Sequence, residues 1–226
     1  MENLKALTEA VCCVAREAGH FLKEERKSFR REVVQEKHAH DYVSYVDKAS
    51  EKKVVSALRK LLPEAGFIAE EGSAAYSDET YCWVVDPLDG TTNYIHDNAP
   101  YCVSIALRDK QSLLLGVVYE PCRDECFYAW KGGGAYVNGE RLRVSLVSEL
   151  KDAFVVTELP YNFEQYARTG EHLIHELYGK VAGIRMNGSA ALALCYVAAG
   201  RFDAWLEAFI GKWDFSAAAL MVLEDR

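Results

Sequence analysis

Residues 81–93, Tyr-Cys-Trp-Val-Val-Asp-Pro-Leu-Asp-Gly-Thr-Thr-Asn, constrain this chain more than any other segment. The run from Tyr81 to Val85 reads as a buried strand that delivers Asp86 at its end. Pro87 has no N–H to give a ladder, so strand pairing is expected to stop there. A bend to Asp89 turns both carboxylates to one side. Gly90 allows tight backbone geometry, and Thr91-Thr92 read as a helix start with unpaired amide N–H groups. Two carboxylates beside such an amide-rich terminus can hold hard cations and a phosphate together. The same run also suits an Asx-turn with an N-cap, and the motif alone leaves both readings open. An EF-hand is excluded, because Pro87 and Leu88 interrupt the alternating acidic ligands and no Glu follows at the required spacing.

Around this segment the pattern is that of a layered α/β protein. Leu4, Leu7, Val11, Val14, Ala18 and Leu22 mark one face of a first helix over 4–22, which can run on toward Phe29. The polar stretch 35–40 is a loop or hairpin. A second helix runs from Asp47 or Lys48 to Leu62, where Pro63 ends it. Strands are expected at 66–70, 81–86, 101–108, 113–119 and 125–130, with Asn138-Gly139 as a hairpin turn. A strand at 153–157, a helix at 163–179, a strand at 183–186, a helix at 189–199, a strand at 202–207 and a helix from Trp213 follow. We expect two lobes sharing one face. Residues 1–150 form an α+β lobe carrying the acidic motif, and 151–226 form an α/β lobe that is short at its C-terminus and lacks an edge strand.

Composition narrows the functional classes. Half of the 226 residues are hydrophobic, which excludes a disordered chain, and the formal charge is −8. No Lys/Arg-rich run stands out, so neither a nucleic acid nor a membrane surface is expected as partner. In an acidic protein something other than bulk charge must attract a phosphate, and a bound cation would do so. Seven cysteines without a C-x-x-C, and a charged first helix in place of a signal core, point to reduced, buried thiols in the cytoplasm.

Two further acidic points join the motif. Glu70-Glu71-Gly72 ends the apolar strand Phe67-Ile68-Ala69, and Asp214 opens the helix after Trp213, while Glu207 ends the strand before it. A solvated strand end explains Glu70 by itself and a helix cap explains Asp214 by itself. Together with Asp86 and Asp89, four such carboxylates are an arrangement that a core does not hold without counter-charge.

These residues resemble the inositol monophosphatase family of magnesium-dependent, lithium-sensitive phosphatases. The motifs that carry the resemblance are Asp86-Pro-Leu-Asp-Gly-Thr-Thr-Asn-Tyr94 and Trp213-Asp-Phe-Ser-Ala217. Asp41-Tyr-Val-Ser-Tyr-Val-Asp47, Ile68-Ala-Glu-Glu-Gly72, the Gly188-Ser-Ala turn and Tyr196-Val-Ala-Ala-Gly-Arg-Phe-Asp203 support it. The resemblance implies an α/β (α+β) fold, a layered αβαβα sandwich. It implies Glu70, Asp86 and the Leu88 carbonyl around a first Mg²⁺, with Asp86, Asp89 and Asp214 around a second. Glu70 would help with a third. The Gly90 and Thr91 amides would hold phosphate. Thr91, bonded to Asp47, would orient the attacking water with Glu70, and Gly188, Ser189, Ala190 and Glu207 would meet the alcohol part. Asp89 and Asp214 would also face the substrate.

The expected activity is hydrolysis of a sugar-alcohol phosphate monoester, myo-inositol monophosphate first. The alternatives are fructose 1,6-bisphosphate, a nucleotide 3′-phosphate or histidinol phosphate, or a non-catalytic ion-binding scaffold of the same fold. The stretch Leu159-Pro-Tyr-Asn162 departs from the hydroxyl-rich loop of the animal enzymes, which argues against strict inositol specificity. A homodimer is expected from the amphipathic first helix and the unfinished edge. Lys131-Gly-Gly-Gly134 is a turn and not a phosphate loop, His38/His40 and His172/His175 lack a third ligand at zinc spacing, and no serine sits in a nucleophile elbow.

Overall fold

The computed structural model describes residues 3–224 except 31, 33, 39–40, 75–78 and 160–162, with backbone alone at 36–38, 41–42 and 163. His40 and the Pro160–Asn162 stretch therefore lie outside the described residues. In chain order the elements are α1 (Leu4–Arg26), β1 (Gln35–His38), β2 (Asp41–Val43), α2 (Tyr45–Leu61), β3 (Gly66–Ala69) and β4 (Tyr81–Asp89). Next come α3 (Thr91–Ile95), β5 (Cys102–Asp109), β6 (Leu113–Glu120), β7 (Glu125–Trp130), β8 (Gly134–Val137) and β9 (Glu140–Arg141). The chain closes with β10 (Phe154–Glu158), α4 (Phe163–Leu177), β11 (Gly183–Arg185), α5 (Ala190–Ala198), β12 (Ala204–Glu207) and α6 (Lys212–Glu224).

Strands β3 to β9 form one seven-stranded sheet in sequence order, with β3 and β4 parallel and the other pairs antiparallel. Its strands alternate between two apolar cores. Trp83, Val85, Ile105, Leu107 and Val117 face α1 and α2, while Val84, Ala106, Val118 and Phe127 face α5 and α6. Period-two side chains that are apolar on both faces are what a strand sandwiched between helices requires. Gly116 sits where β6 passes α6 so closely that a Cβ would lie 2.2 Å from the Ala217 carbonyl oxygen. On the far side of α5 a second sheet, β11-β10-β12, is wholly parallel. Tyr166 of α4 stacks on Phe209 just past that sheet. The layers follow the expected αβαβα order.

Three expectations change. Helix α2 starts at Tyr45, two residues before the sequence suggested, because Ser44 and Asp47 close a capping box around its first turn. Strand β4 does not stop at Pro87. It pairs Asp86 with Ser104 and then Asp89 with Cys102, so three steps on β4 match two on β5 and the extra residue forms a bulge. Pro87 and Leu88 occupy that bulge, where a missing N–H breaks no ladder bond, and the Leu88 N–H turns back to Asp86 Oδ1 at 3.0 Å. The apolar face of α1, invoked for a dimer, is spent inside the chain, with Val11, Ala15, Ala18 and Leu22 buried against the sheet.

None of the seven cysteines is in a disulfide; Cys82, Cys102, Cys126 and Cys195 are buried as expected, whereas Cys13 and Cys122 are exposed. No helix among the described residues is long and apolar enough to cross a membrane.

Candidate active site

The acidic residues singled out in the sequence share one cavity of about 120 Å³, lined by Glu70, Asp86, Leu88, Asp89, Gly90, Thr91, Gly188, Ser189, Ala190, Glu207 and Asp214. Strand ends and helix starts converge there. Ala69 of β3 pairs with Val85 of β4, and the Glu70 N–H extends that ladder to the Val85 carbonyl at 3.2 Å, which sets Glu70 beside Asp86. The bulge re-aims Asp89. The left-handed Gly90 (φ 90°) then turns the chain into α3, and a Cβ there would crowd the Pro100 and Gly188 carbonyl oxygens at 3.0 and 3.1 Å. On the opposite wall, the carboxyl ends of the parallel strands β10 and β12 present Glu158 and Glu207 as a register pair. The carboxyl ends of parallel strands are where α/β sheets bind ligands.

Asp89 and Asp214 are held by donors that fix their orientation. Asp89 Oδ2 accepts from Ser189 Oγ at 2.6 Å and from the Ala191 N–H at 2.8 Å. Asp214 Oδ2 accepts from the Gly211 N–H at 2.6 Å, so the helix-cap role and the cavity position coexist in one side chain. Asp47 lies behind the cavity and not on its wall. Its Oδ2 accepts from the Ser44 N–H and hydroxyl at 2.8 and 2.7 Å, and Thr91 Oγ1 lies 3.1 Å from its Oδ1. The single Thr91 hydroxyl hydrogen can go to Asp47 or to the Leu88 carbonyl oxygen, 3.0 Å away.

The electrostatics are those of a site built for positive charge. Burial, and then the carboxylates of Glu70, Asp89 and Asp214, hold Asp86 well above the usual carboxylate range. Burial pushes Asp89 up to about 6 against the hydrogen bonds that favour its ionised form. Burial together with Glu158, Asp89 and Asp214 pushes Glu207 up to about 9, and its Oε2 is buried without a hydrogen-bond partner. No Lys, Arg or His lines the cavity among the described residues. The donors are all oxygen, the set preferred by hard divalent cations over zinc or copper. Among the described residues no group of three or more His, Cys, Asp or Glu side chains stands in a position to hold a metal ion as the side chains are placed.

Of the wall residues, sequence reasoning missed Glu158, and it named Thr92 and Leu159 without assigning them a site role. Glu158 carried a usable signal, since it ends an apolar strand in acid as Glu70 and Glu207 do. Its Oε1 accepts the N–H groups of Asn187 and Gly188 at 2.6 and 2.8 Å. Asn93 holds the same turn from the other side, its Nδ2 donating to the Asn187 carbonyl at 2.7 Å.

Known proteins share this architecture. The chain is 40% identical over 211 residues to "Nus factor SuhB" of Escherichia coli, covering 93% of this chain and 79% of the relative. It is 36% identical over 224 residues to the "Fructose-1,6-bisphosphatase/inositol-1-monophosphatase" of Aquifex aeolicus, covering 99% and 85%. The crystal structure of extragenic suppressor protein suhB from Bartonella henselae superposes with a TM-score of 0.91 at 37% identity, over 97% of this chain and 85% of that one. The sequence model of the inositol monophosphatase family matches residues 3–225, and the chain belongs to that family.

Proposed function

We propose that this protein hydrolyses a sugar-alcohol phosphate monoester with Mg²⁺, and that myo-inositol monophosphate is its substrate. The observation that carries the reading is the convergence of Glu70, Asp86, Asp89 and Asp214 on one cavity that no cationic side chain lines. Four carboxylates on one cavity, Asp86 and Asp89 among them buried, call for divalent cations. In our reading Glu70, Asp86 and the Leu88 carbonyl hold one ion, Asp86, Asp89 and Asp214 hold a second, and Glu70 contributes to a third. When bound, Mg²⁺ neutralises the phosphate, lowers the pKa of bound water and steadies the leaving alkoxide, together worth roughly several kcal/mol.

The chain's own groups supply the rest. The Gly90 and Thr91 amides hold phosphate oxygens at the turn into α3. The Thr91 hydroxyl gives its hydrogen to Asp47 and turns a lone pair to the attacking water, whose other proton goes toward the Glu70 carboxylate. Asp89 and Asp214 face the ester from the phosphate side. Gly188, Ser189, Ala190 and Glu207 border the alcohol. Glu158 and Glu207 stand side by side on that wall. Both can hydrogen-bond the hydroxyls of a neutral polyol, and among the described residues the cavity offers no cationic side chain to a second phosphate, which favours a monophosphate over fructose 1,6-bisphosphate.

The test is phosphate release from a panel of monoesters, with and without millimolar Mg²⁺. We expect turnover on inositol monophosphate, none in chelator, and a loss on the order of 10³-fold in Asp86→Asn, the equivalent of about 4 kcal/mol. No turnover on any polyol phosphate would favour the scaffold reading instead. We further propose a homodimer in the cytoplasm. A clean monomer in light scattering refutes the dimer.

A further inference from the structure

Helix α2 carries a stripe of buried polar side chains, Asp47, Ser50 and Glu51, beside its buried apolar residues Val46, Val54, Val55 and Leu58. The spacing i, i+3, i+4 puts them on one helix face. Each reaches a different segment of the cavity wall. Asp47 meets Thr91, and Ser50 Oγ donates to the Pro87 carbonyl in the β4 bulge at 3.0 Å. Glu51 reaches the turn that follows Glu70. Its Oε2 accepts the Glu71 N–H at 2.7 Å and its Oε1 the Ser73 N–H at 2.6 Å.

Glu51 is fully buried, whereas Ser73 lies in an exposed turn whose N–H water could satisfy. A buried carboxylate is costly, so supplying a partner to an amide that has water within reach does not account for it. What it does is grip two alternate amides and hold the turn rigid. Glu70 is thereby pinned on both sides, by the ladder bond of its own N–H to Val85 and by the two Glu51 bonds just beyond it.

We infer that Glu51 is a positioning residue for Glu70, fixing the turn from α2 so that the Glu70 carboxylate faces the cation site. This rests on the proposed function in assigning Glu70 to the cations. Groups that orient metal ligands from behind are worth about 10–100-fold in affinity. Glu51→Gln is isosteric, but its amide accepts one N–H and turns an NH₂ toward the other.

The experiment is calorimetric titration of metal-free wild type and Glu51→Gln with Mn²⁺, alongside the Mg²⁺ dependence of phosphate release. Mn²⁺ affinity should fall about 10-fold or more, and the Mg²⁺ needed for half-maximal rate should rise in step. The KM for inositol monophosphate at saturating Mg²⁺ should stay within about twofold. Unchanged Mn²⁺ affinity, or a KM that rises as much as the metal requirement, overturns the assignment. Should the variant not fold, amide exchange in the metal-free wild type decides. The Glu71 and Ser73 N–H groups should be protected about 100-fold or more, and exchange at the free rate overturns it. The Mn²⁺ titration needs no turnover. A wild type that binds Mn²⁺ without releasing phosphate sinks the proposed function and still tests Glu51.

Discussion

Replacing Asp89 by Asn should make the metal-free protein more stable while destroying its use of metal. Asp89 is buried and its carboxyl is raised from 3.8 to about 6. Each pH unit is 1.36 kcal/mol, so holding this side chain ionised at pH 7 costs the folded state about 3 kcal/mol. The folded state binds the proton more tightly than the unfolded chain does. Stability from this group is therefore full below about pH 4 and is lost as pH rises through about 6. Asn resembles the protonated form and keeps an oxygen to accept from Ser189 or Ala191. In EDTA at pH 7, Asp89→Asn should melt roughly 6–12 °C above wild type, at about 2–4 °C per kcal/mol for a chain of this size. Mg²⁺ should reverse the order once it reaches about 1,000 times its Kd, where binding adds about 4.1 kcal/mol to the wild type alone. Scanning calorimetry in both buffers checks this. A variant that melts at or below wild type in EDTA refutes the reasoning, because the cavity would then carry no uncompensated charge.

Glu207→Ala should raise the KM for the polyol ester about 10-fold with little change in the Mg²⁺ requirement, as expected for lost hydroxyl contacts. The reverse pattern in steady-state kinetics would move Glu207 into the ion shell. Gly116→Ala should destabilise by about 3 kcal/mol through the forced contact with the Ala217 carbonyl, lowering Tm by roughly 6–12 °C; an unchanged melt would mean that α6 can shift. Lithium should inhibit phosphate release competitively with one Mg²⁺ position, and full activity at about 50 mM Li⁺ would count against the proposed ion sites.

The legible parts of this molecule are those written in local pattern. Apolar runs such as Tyr81–Val85 and Leu113–Tyr119 mark strands wherever they occur, and the 3.6-residue spacing of Val11, Ala15, Ala18 and Leu22 marks a helix in the same way. The extent of β4 was not legible. A proline ends a ladder only where its N–H is needed, and the bulge opposite Ser104 and Cys102 removes that need. Nor was the occupant of the α1 apolar face, because periodicity says that a face is covered and not by what.

From the amino-acid order alone come the acids at strand ends, the layered α/β class and the family resemblance, since each depends on neighbours a few residues apart. Convergence is another matter. Glu70, Asp89, Glu158, Glu207 and Asp214 stand on one cavity because parallel strands in two sheets and the first turn of α6 end at the same place. Glu51 turned out to grip the turn beside Glu70 because α2 crosses behind β3 and β4. Such relations are set by packing across the whole chain, which no short window of sequence encodes.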